Sequence, residues 1–376
     1  MSEYQYVSFR AVESPVSEVE LEYMHRQSSR AEITPWAFDN EYSFGDFRGD
    51  ALEMLRRGYE IHLHYANFGI RKLLLRFPNG LANMQSVELY LGEEGLTFLH
   101  DKRGRGGSLC LEPYHEPGDL NEVFNIEDYI ELLVPLRAEI QDGDLRPLYI
   151  AHLAAANASD HDPDETIEAP VPAGLKNLTA AQQALAGLYD LESLIEAAAQ
   201  QSPELPTREP SAEPQSKWIK QQSQSLKDQW LTRLISADHA TVRSEILSAF
   251  RAQRPVAKWP TVRCDRTISQ LRSAADQVQQ VAALRTAEAA ALERQKKLTA
   301  MAVKPEAILR ETEKLIMHRS VSNYREIAKL LSELREALQG TKQFGLAARQ
   351  AEKLAAANPT LNSLRKELRS EGFLPK

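Results

Sequence analysis

"ITPWAFDNEYSFGDFRGDALEMLRRGYEIHLHYANFGIRKLLLRF", Ile33 to Phe77, decides how the first half of this chain folds. Trp36, Phe38, Tyr42, Phe47, Tyr59, Tyr65 and Phe77 are crowded into it beside His62 and His64. Such density marks either a reaction centre or the middle of a domain, and the spacing favours the domain. Asp50 with Glu53 three residues on has the form of a helix N-cap with an acid at N3. Leu52, Leu55, Tyr59, Leu63 and Ala66 follow at helical spacing, and Gly69 stands where a glycine stops a helix. The spacing therefore predicts a helix over 51–68. "IRKLLLRF" reads as a strand with Leu73, Leu75 and Phe77 on one face, and Pro78-Asn79-Gly80 as a turn. On this reading the aromatics are the two faces of a helix-on-sheet core.

Outward from there, "YQYVSFRA" alternates as an opening strand, and "SPVSEVELEYMHRQ" is a helix with Pro15 in its first turn. "AEITPWAF" and "NEYSF" are short strands split by a turn. "SVELYLG", "LTFLH" and "SLCLEPY" are strands joined by hairpin loops. Helices follow from Ile126, capped by Asn125 and broken at Pro135, and over "RPLYIAHLAAA". "NASDHDPDETIEAPVPAG" has no period and reads as an extended acidic connector; "LTAAQQALAGLYDLESLIEAAAQ" is an amphipathic helix capped near Thr179. "QSPELPTREPSAEPQS" carries Pro203, Pro206, Pro210 and Pro214 and reads as a linker.

Everything beyond it has helical period. Ile268, Leu271, Ala275, Val278 and Ala282 occupy a and d positions of one long helix, and Arg285 breaks that seam. Pro305 opens a further helix, Asn323 with Glu326 another, and Ile327, Leu330, Leu331 and Leu334 form an apolar stripe. Asn358-Pro359 separates the last two helices, and Gly372 stops the chain. The expected fold class is an α+β N-terminal domain, an antiparallel sheet packed by helices, plus an all-α C-terminal region with one long helix. The expected division is 1–156 α+β domain, 157–200 acidic connector and amphipathic helix, 201–217 Pro-rich linker, and 218–376 basic helical region.

"ITPWAFDNEYSFGDFRGD", "ANFGIRKLLLRFP" and the end "AARQAEKLAAANPTLNSLRKELRSEGFLP" resemble an uncharacterised family of predicted bacterial cytoplasmic proteins over nearly the whole chain. The resemblance implies a bacterial cytoplasmic origin and brings no catalytic residues. The helical tail is also similar to that of some SWIM-type zinc-finger proteins. The C-x-C…C-x-H ligands of that finger are missing here, so its zinc is not carried over.

The net charge of −8 hides an asymmetry. Residues 1–200 hold 15 Lys and Arg against 34 Asp and Glu, whereas residues 201–376 hold 30 against 19. A basic half joined to an acidic half either meets an anionic partner or faces its own acidic half. The 376 residues contain no apolar run near the ~20 needed to span a bilayer, and Met1 is followed by no basic-then-apolar leader. Cys110 and Cys264 stand in no C-x-x-C, which fits a reducing compartment.

Candidate chemistry is sparse. His62 and His64 share a face on a strand but diverge on the predicted helix, so packing is the preferred reading and no metal is assigned. Asp39, Glu41, Asp46 and Asp50 cluster near Arg48, but their spacing is not that of an EF-hand. "HDKRGRGGS" presents Lys102, Arg103 and Arg105 among glycines, a phosphate-binding candidate that matches neither phosphate-loop motif. "FRAQRPVAKWPTVRCDR" sets Arg251, Arg254, Lys258, Arg263 and Arg266 around Trp259, residue types that can hold a phosphate backbone and stack on a base.

The favoured expectation is a non-enzymatic adaptor or scaffold that binds protein partners in the bacterial cytoplasm. Its contacts would run through apolar faces such as Ile327, Leu330 and Leu334, with oligomers through the C-terminal helices and no cofactor. The alternative is an accessory subunit of a nucleic-acid-processing system, touching DNA or RNA through the basic half. A third reading is an enzyme with its site near Asp46.

Overall fold

The computed structural model describes residues 3–375 except 44, 82, 206–212, 236–241, 243–245, 248 and 251–257, and leaves undescribed the side chains of 213–215. The chain divides into two compact units, Met1–Gln279 and Gln280–Lys376.

The first unit is built on β1 (Gln5–Arg10), α1 (Glu18–Gln27), β2 (Glu32–Ile33), β3 (Ala37–Tyr42), α2 (Ala51–Arg56), β4 (Ile61–Ala66), β5 (Arg71–Phe77), α3 (Met84–Val87), β6 (Leu96–His100) and β7 (Gly107–Leu111). Their strands form one antiparallel seven-stranded sheet in the order β2-β3-β1-β4-β5-β7-β6. The period of two sends Ile61, Leu63, Tyr65, Leu73, Leu75 and Phe77 to one core. Val7, Phe9, Phe38 and Leu74 go to the other, where Met24 of α1 and Met54 and Leu55 of α2 cover them. The first core is covered by α4 (Ile126–Leu133), α5 (Pro135–Gln141), α6 (Arg146–Ala158), α7 (Ala180–Leu188) and α8 (Glu192–Ala199). Pro135 does mark the break between α4 and α5.

The helix predicted over 51–68 is a correction. Asp50 caps it as expected, accepting from Glu53 N at 2.9 Å, but α2 ends at Arg56. Gly58 turns the chain with φ +148°, and 61–66 is a strand between β1 and β5. Gly69 is not a helix stop; it closes the β4–β5 hairpin at φ +113°, where a Cβ would lie 2.3 Å from His115 O. "SVELYLG" is not a strand: Ser86 and Val87 end the short helix α3 and a turn follows. The single helix predicted from Leu178 is two, α7 and α8, parted at Asp190 with φ 52°. Thr179 forms a full capping box with Gln182. Asn125 sits at its N-cap position in left-handed geometry without a side-chain cap bond. Asp50→Ala removes one satisfied N-terminal donor pair and is expected to lower stability by about 1 kcal/mol. Thermal unfolding of the full chain reads it, and an unchanged midpoint contradicts the cap.

The acidic connector is also corrected. It forms β8 (Val171–Pro172), an isolated bridge at Ile167, and the buried Glu168. Beyond it lie α9 (Glu213–Gln221), α10 (Gln224–Ile235) and β9 (Thr261–Val262), the last paired with β8. Residues 206–212 of the Pro-rich stretch lie outside the described residues, and its last residues already belong to α9 rather than to a linker.

Next is the long helix α11 (Ile268–Val303), of 36 residues, about 54 Å at 1.5 Å per residue. Ile268, Leu271 and Ala275 are buried against the first core, and the predicted seam ends at Val278. The boundary between the two units falls within this helix. The second unit adds α12 (Pro305–Leu315), a 3-10 turn (Ile316–His318), α13 (Val321–Ala337), α14 (Leu346–Ala357) and α15 (Asn362–Ser370). Ser320, not Asn323, caps α13, accepting from Asn323 N at 3.2 Å. The stripe on α13 is the core of this unit: Ile327, Leu331 and Leu334 are fully buried, with Leu330 packed against them. Ile327 and Leu334 are therefore not free to hold a partner.

Candidate functional site

Pairing of β8 with β9 brings the predicted basic segment onto the first unit: Ala173 N donates to Pro260 O at 2.8 Å and Glu168 N to Arg266 O at 2.9 Å. Trp259 Nε1 donates to Ala173 O at 3.1 Å, and the Arg146 guanidinium lies 5.2 Å from its ring centroid. The indole is thus committed at its edge and one face. Arg266 grips Glu168 in two bonds, Nε to Oε2 at 2.6 Å and Nη2 to Oε1 at 2.9 Å. The same carboxylate accepts from the Tyr149 hydroxyl and, at 3.2 Å, from Cys264 Sγ. Burial raises the Tyr149 hydroxyl far above its ordinary pKa and Cys264 less so, and Glu168 reinforces both. Both groups therefore hold their protons and donate. Glu168 is saturated, and Arg266 is a staple across a sequence separation of 98 residues rather than a free phosphate donor. Lys258 and Arg263 remain exposed. Arg251 and Arg254 lie outside the described residues.

Lys102, Arg103 and Arg105 are exposed in the β6–β7 hairpin loop. The loop is anchored beside them by Asp101, whose N donates to Gly106 O at 2.9 Å and whose carboxylate takes Arg76 Nη2 at 2.6 Å.

On the face of the sheet toward α1 and α2, strand geometry puts His62 and His64 side by side, ring centroids 6.3 Å apart. His62 stacks on Phe9 at 4.1 Å and donates through Nδ1 to Ser8 O at 3.1 Å. His64 Nε2 meets Gln5 Oε1 at 2.9 Å, and Gln5 Nε2 reaches Asp46 Oδ1 at 2.8 Å. Burial, then the Lys72 charge, holds His64 down to about 4; burial and His64 hold His62 well below its ordinary value. Both imidazoles are neutral at pH 7. Among the described residues no group of three or more His, Cys, Asp or Glu is placed to hold a metal ion.

The sequence reading missed two nodes. One is Glu168 with its donors. The other lies on the opposite sheet face, where Asp39 accepts from Tyr6 Oη at 2.8 Å, Ser8 Oγ at 2.5 Å and Arg10 Nη1 at 2.9 Å. The period of two in Tyr6-x-Ser8-x-Arg10 was its signal. Both nodes are internally satisfied, which suits them to fixing strands and helices together.

Two clefts stand on the described surface, among others. One, of about 610 Å³, has Leu175, Leu178 and Ile195 on its walls with Lys176, Glu192 and Glu196 beside them. The other, of about 640 Å³ in the second unit, is charged, and Arg294–Glu336 and Lys297–Glu333 pair within it. More distinctive is α11: every residue from Gln279 to Lys297 is exposed, including Val281, Leu284 at 64% and Leu292. No described helix is long and apolar enough to cross a membrane. No protein-family model, curated protein or solved structure matches this chain.

Proposed function

We propose that this protein is a non-enzymatic adaptor of the bacterial cytoplasm that assembles with a protein partner along the exposed stretch of α11. The observation that carries this is the stretch itself. At 100° per residue Val281, Leu284, Ala291, Leu292 and Leu298 fall in a stripe roughly 120° wide, with Glu288 and Gln295 between them. Val281, Leu284 and Leu292 stand in solvent. Ala, Leu, Glu, Arg and Lys keep such a segment helical without a core of its own. The stripe takes the place of the α13 face, which is buried. An apolar helix face of this width is suited to lie against another helix.

The nucleic-acid reading keeps exposed Lys102, Arg103, Arg105, Lys258 and Arg263 but loses Arg266 and Trp259 to internal bonds. Asp46, the centre of the enzyme reading, is exposed and bonded to Gln5. The test compares the tagged full chain with Val281→Gln/Leu284→Gln/Leu292→Gln. The variant is expected to keep its helical circular dichroism and to lose the protein that co-purifies with the wild type. Neither chain is expected to shift duplex DNA or RNA at physiological salt. A shift that strengthens steeply as salt falls and is lost in Lys258→Ala/Arg263→Ala would replace the adaptor with the nucleic-acid accessory.

A further inference from the structure

Among the described residues β6 is the last strand of its sheet, paired only with β7. Its register fixes which backbone groups are free. Asp101 N donates to Gly106 O at 2.9 Å and Glu112 N to Gly95 O at 2.7 Å, both in the register that pairs Leu96 with Leu111 and His100 with Gly107. Hydrogen-bonded and non-bonded pairs alternate along an antiparallel ladder. Gly95, Thr97, Leu99 and Asp101 therefore turn their N–H and C=O toward β7. The N–H and C=O of Phe98 and His100, and the C=O of Leu96, face outward. Thr97, Leu99 at 41% and His100 are exposed. Phe98 is held in place: it stacks on Phe77 at 6.3 Å and lies over Gly107, where a Cβ would come within 2.2 Å of its ring. An open edge carrying Phe and Leu is a template for a further strand.

The charges select the strand. β6 ends at His100; the exposed Glu94 precedes it in a turn, and the exposed Lys102 and Arg103 follow it in the hairpin loop. An antiparallel partner suits this edge when an acid precedes its strand and bases follow it, and the segment around β6 has that pattern. We infer that two copies of this chain pair β6 to β6 about a two-fold axis at Phe98, joining their sheets edge to edge. Phe98 N–H and C=O then bond Phe98 of the second copy. Each His100 N–H meets the Leu96 C=O opposite, and the turn that carries Glu94 comes to the end of the pair where the other copy's hairpin loop carries Lys102. All the outward groups required belong to one set of alternate residues, so the two-fold register breaks no bond to β7. The arrangement gives the basic hairpin loop a partner. It uses a different surface from α11, so it stands or falls separately from the adaptor reading.

Sedimentation of the full chain over a concentration series tests it. The wild type is expected to dimerise. His100→Pro removes an outward N–H that β7 does not use, a substitution an edge strand tolerates. It is expected to weaken the dimer about tenfold or more, since two symmetry-related bonds go. Glu94→Lys gathers like charges at each end of the pair and is also expected to weaken it, whereas Glu94→Lys/Lys102→Glu restores it. A wild type that stays monomeric overturns the inference. So does a dimer indifferent to His100→Pro, or a charge swap that fails to rescue while the variant remains folded by circular dichroism. A monomer that instead binds an unrelated extended peptide at this edge assigns it to another occupant and overturns the second copy.

Discussion

Arg266→Met is expected to lower the stability of the full chain by about 3–5 kcal/mol, because it strips the counter-charge from a buried carboxylate. The Glu168 side chain is 0% exposed, and Arg266 supplies both charged donors to it. Tyr149 and Cys264 would remain, but neither carries positive charge to offset desolvation. The loss is concentrated where it ties most chain together: the Glu168 segment, β9 and the start of α11 all meet at this pair. Replacing both partners tells pairing from packing. In Glu168→Met/Arg266→Met no charge is buried, and most of the lost stability is expected to return, less the orphaned Tyr149 hydroxyl. Urea unfolding midpoints read all three proteins. A single variant within about 1 kcal/mol of the wild type would mean the carboxylate is not held by this ion pair.

That node illustrates what was legible in the sequence. Signals that act within one turn or strand were readable: the Asp50 cap, the Pro135 break, the cap near Thr179, the Leu73–Leu75–Phe77 face and the α13 stripe all stand where residue chemistry placed them. Residues 57–66 failed because two periods overlap there. Leu55, Tyr59 and Leu63 fit a helix, and Ile61, Leu63 and Tyr65 fit a strand. Pairing with β1 and β5 decides for the strand, and Gly58 was the local clue. Glu168 looked like one more solvated acid in a Pro-rich run. Its burial depends on Arg266 and Cys264, far away in the chain, and spacing cannot report such a contact. Trp259 and Arg266 do carry the chemistry of a cation beside an aromatic, but the fold itself consumes it. The exposure of α11 was legible only as the loss of a seam after Val278; the face that replaces it needs the helix to be seen.

Acid weakens this fold through its neutral histidines, and His64 carries a measurable share. Burial first, then Lys72 on β5, lowers it from 6.5 to about 4, opposed by Glu112 and Asp46. Above pH 6.5 the ring is neutral in both the folded and unfolded chain, so its contribution is complete. As pH falls below that value the unfolded chain takes up the proton first, and stability drains away until the folded ring protonates near 4. The loss over this window is about 3 kcal/mol for His64. His62, His115 and His152 are lowered too and act in the same direction. Glu60, raised by burial, acts in the opposite one. His64→Gln keeps a side-chain donor for Gln5 and cannot titrate; it leaves His115, His152 and Glu60 untouched and relieves His62 only of the smaller cause that lowers it, burial being the larger. Comparing urea unfolding at about pH 7 and pH 4.5, the wild type is expected to lose about 2–3 kcal/mol more than the variant. Equal losses would mean that His64 meets solvent freely in the folded chain, and that the Gln5–His64 contact does not hold the strand pair closed.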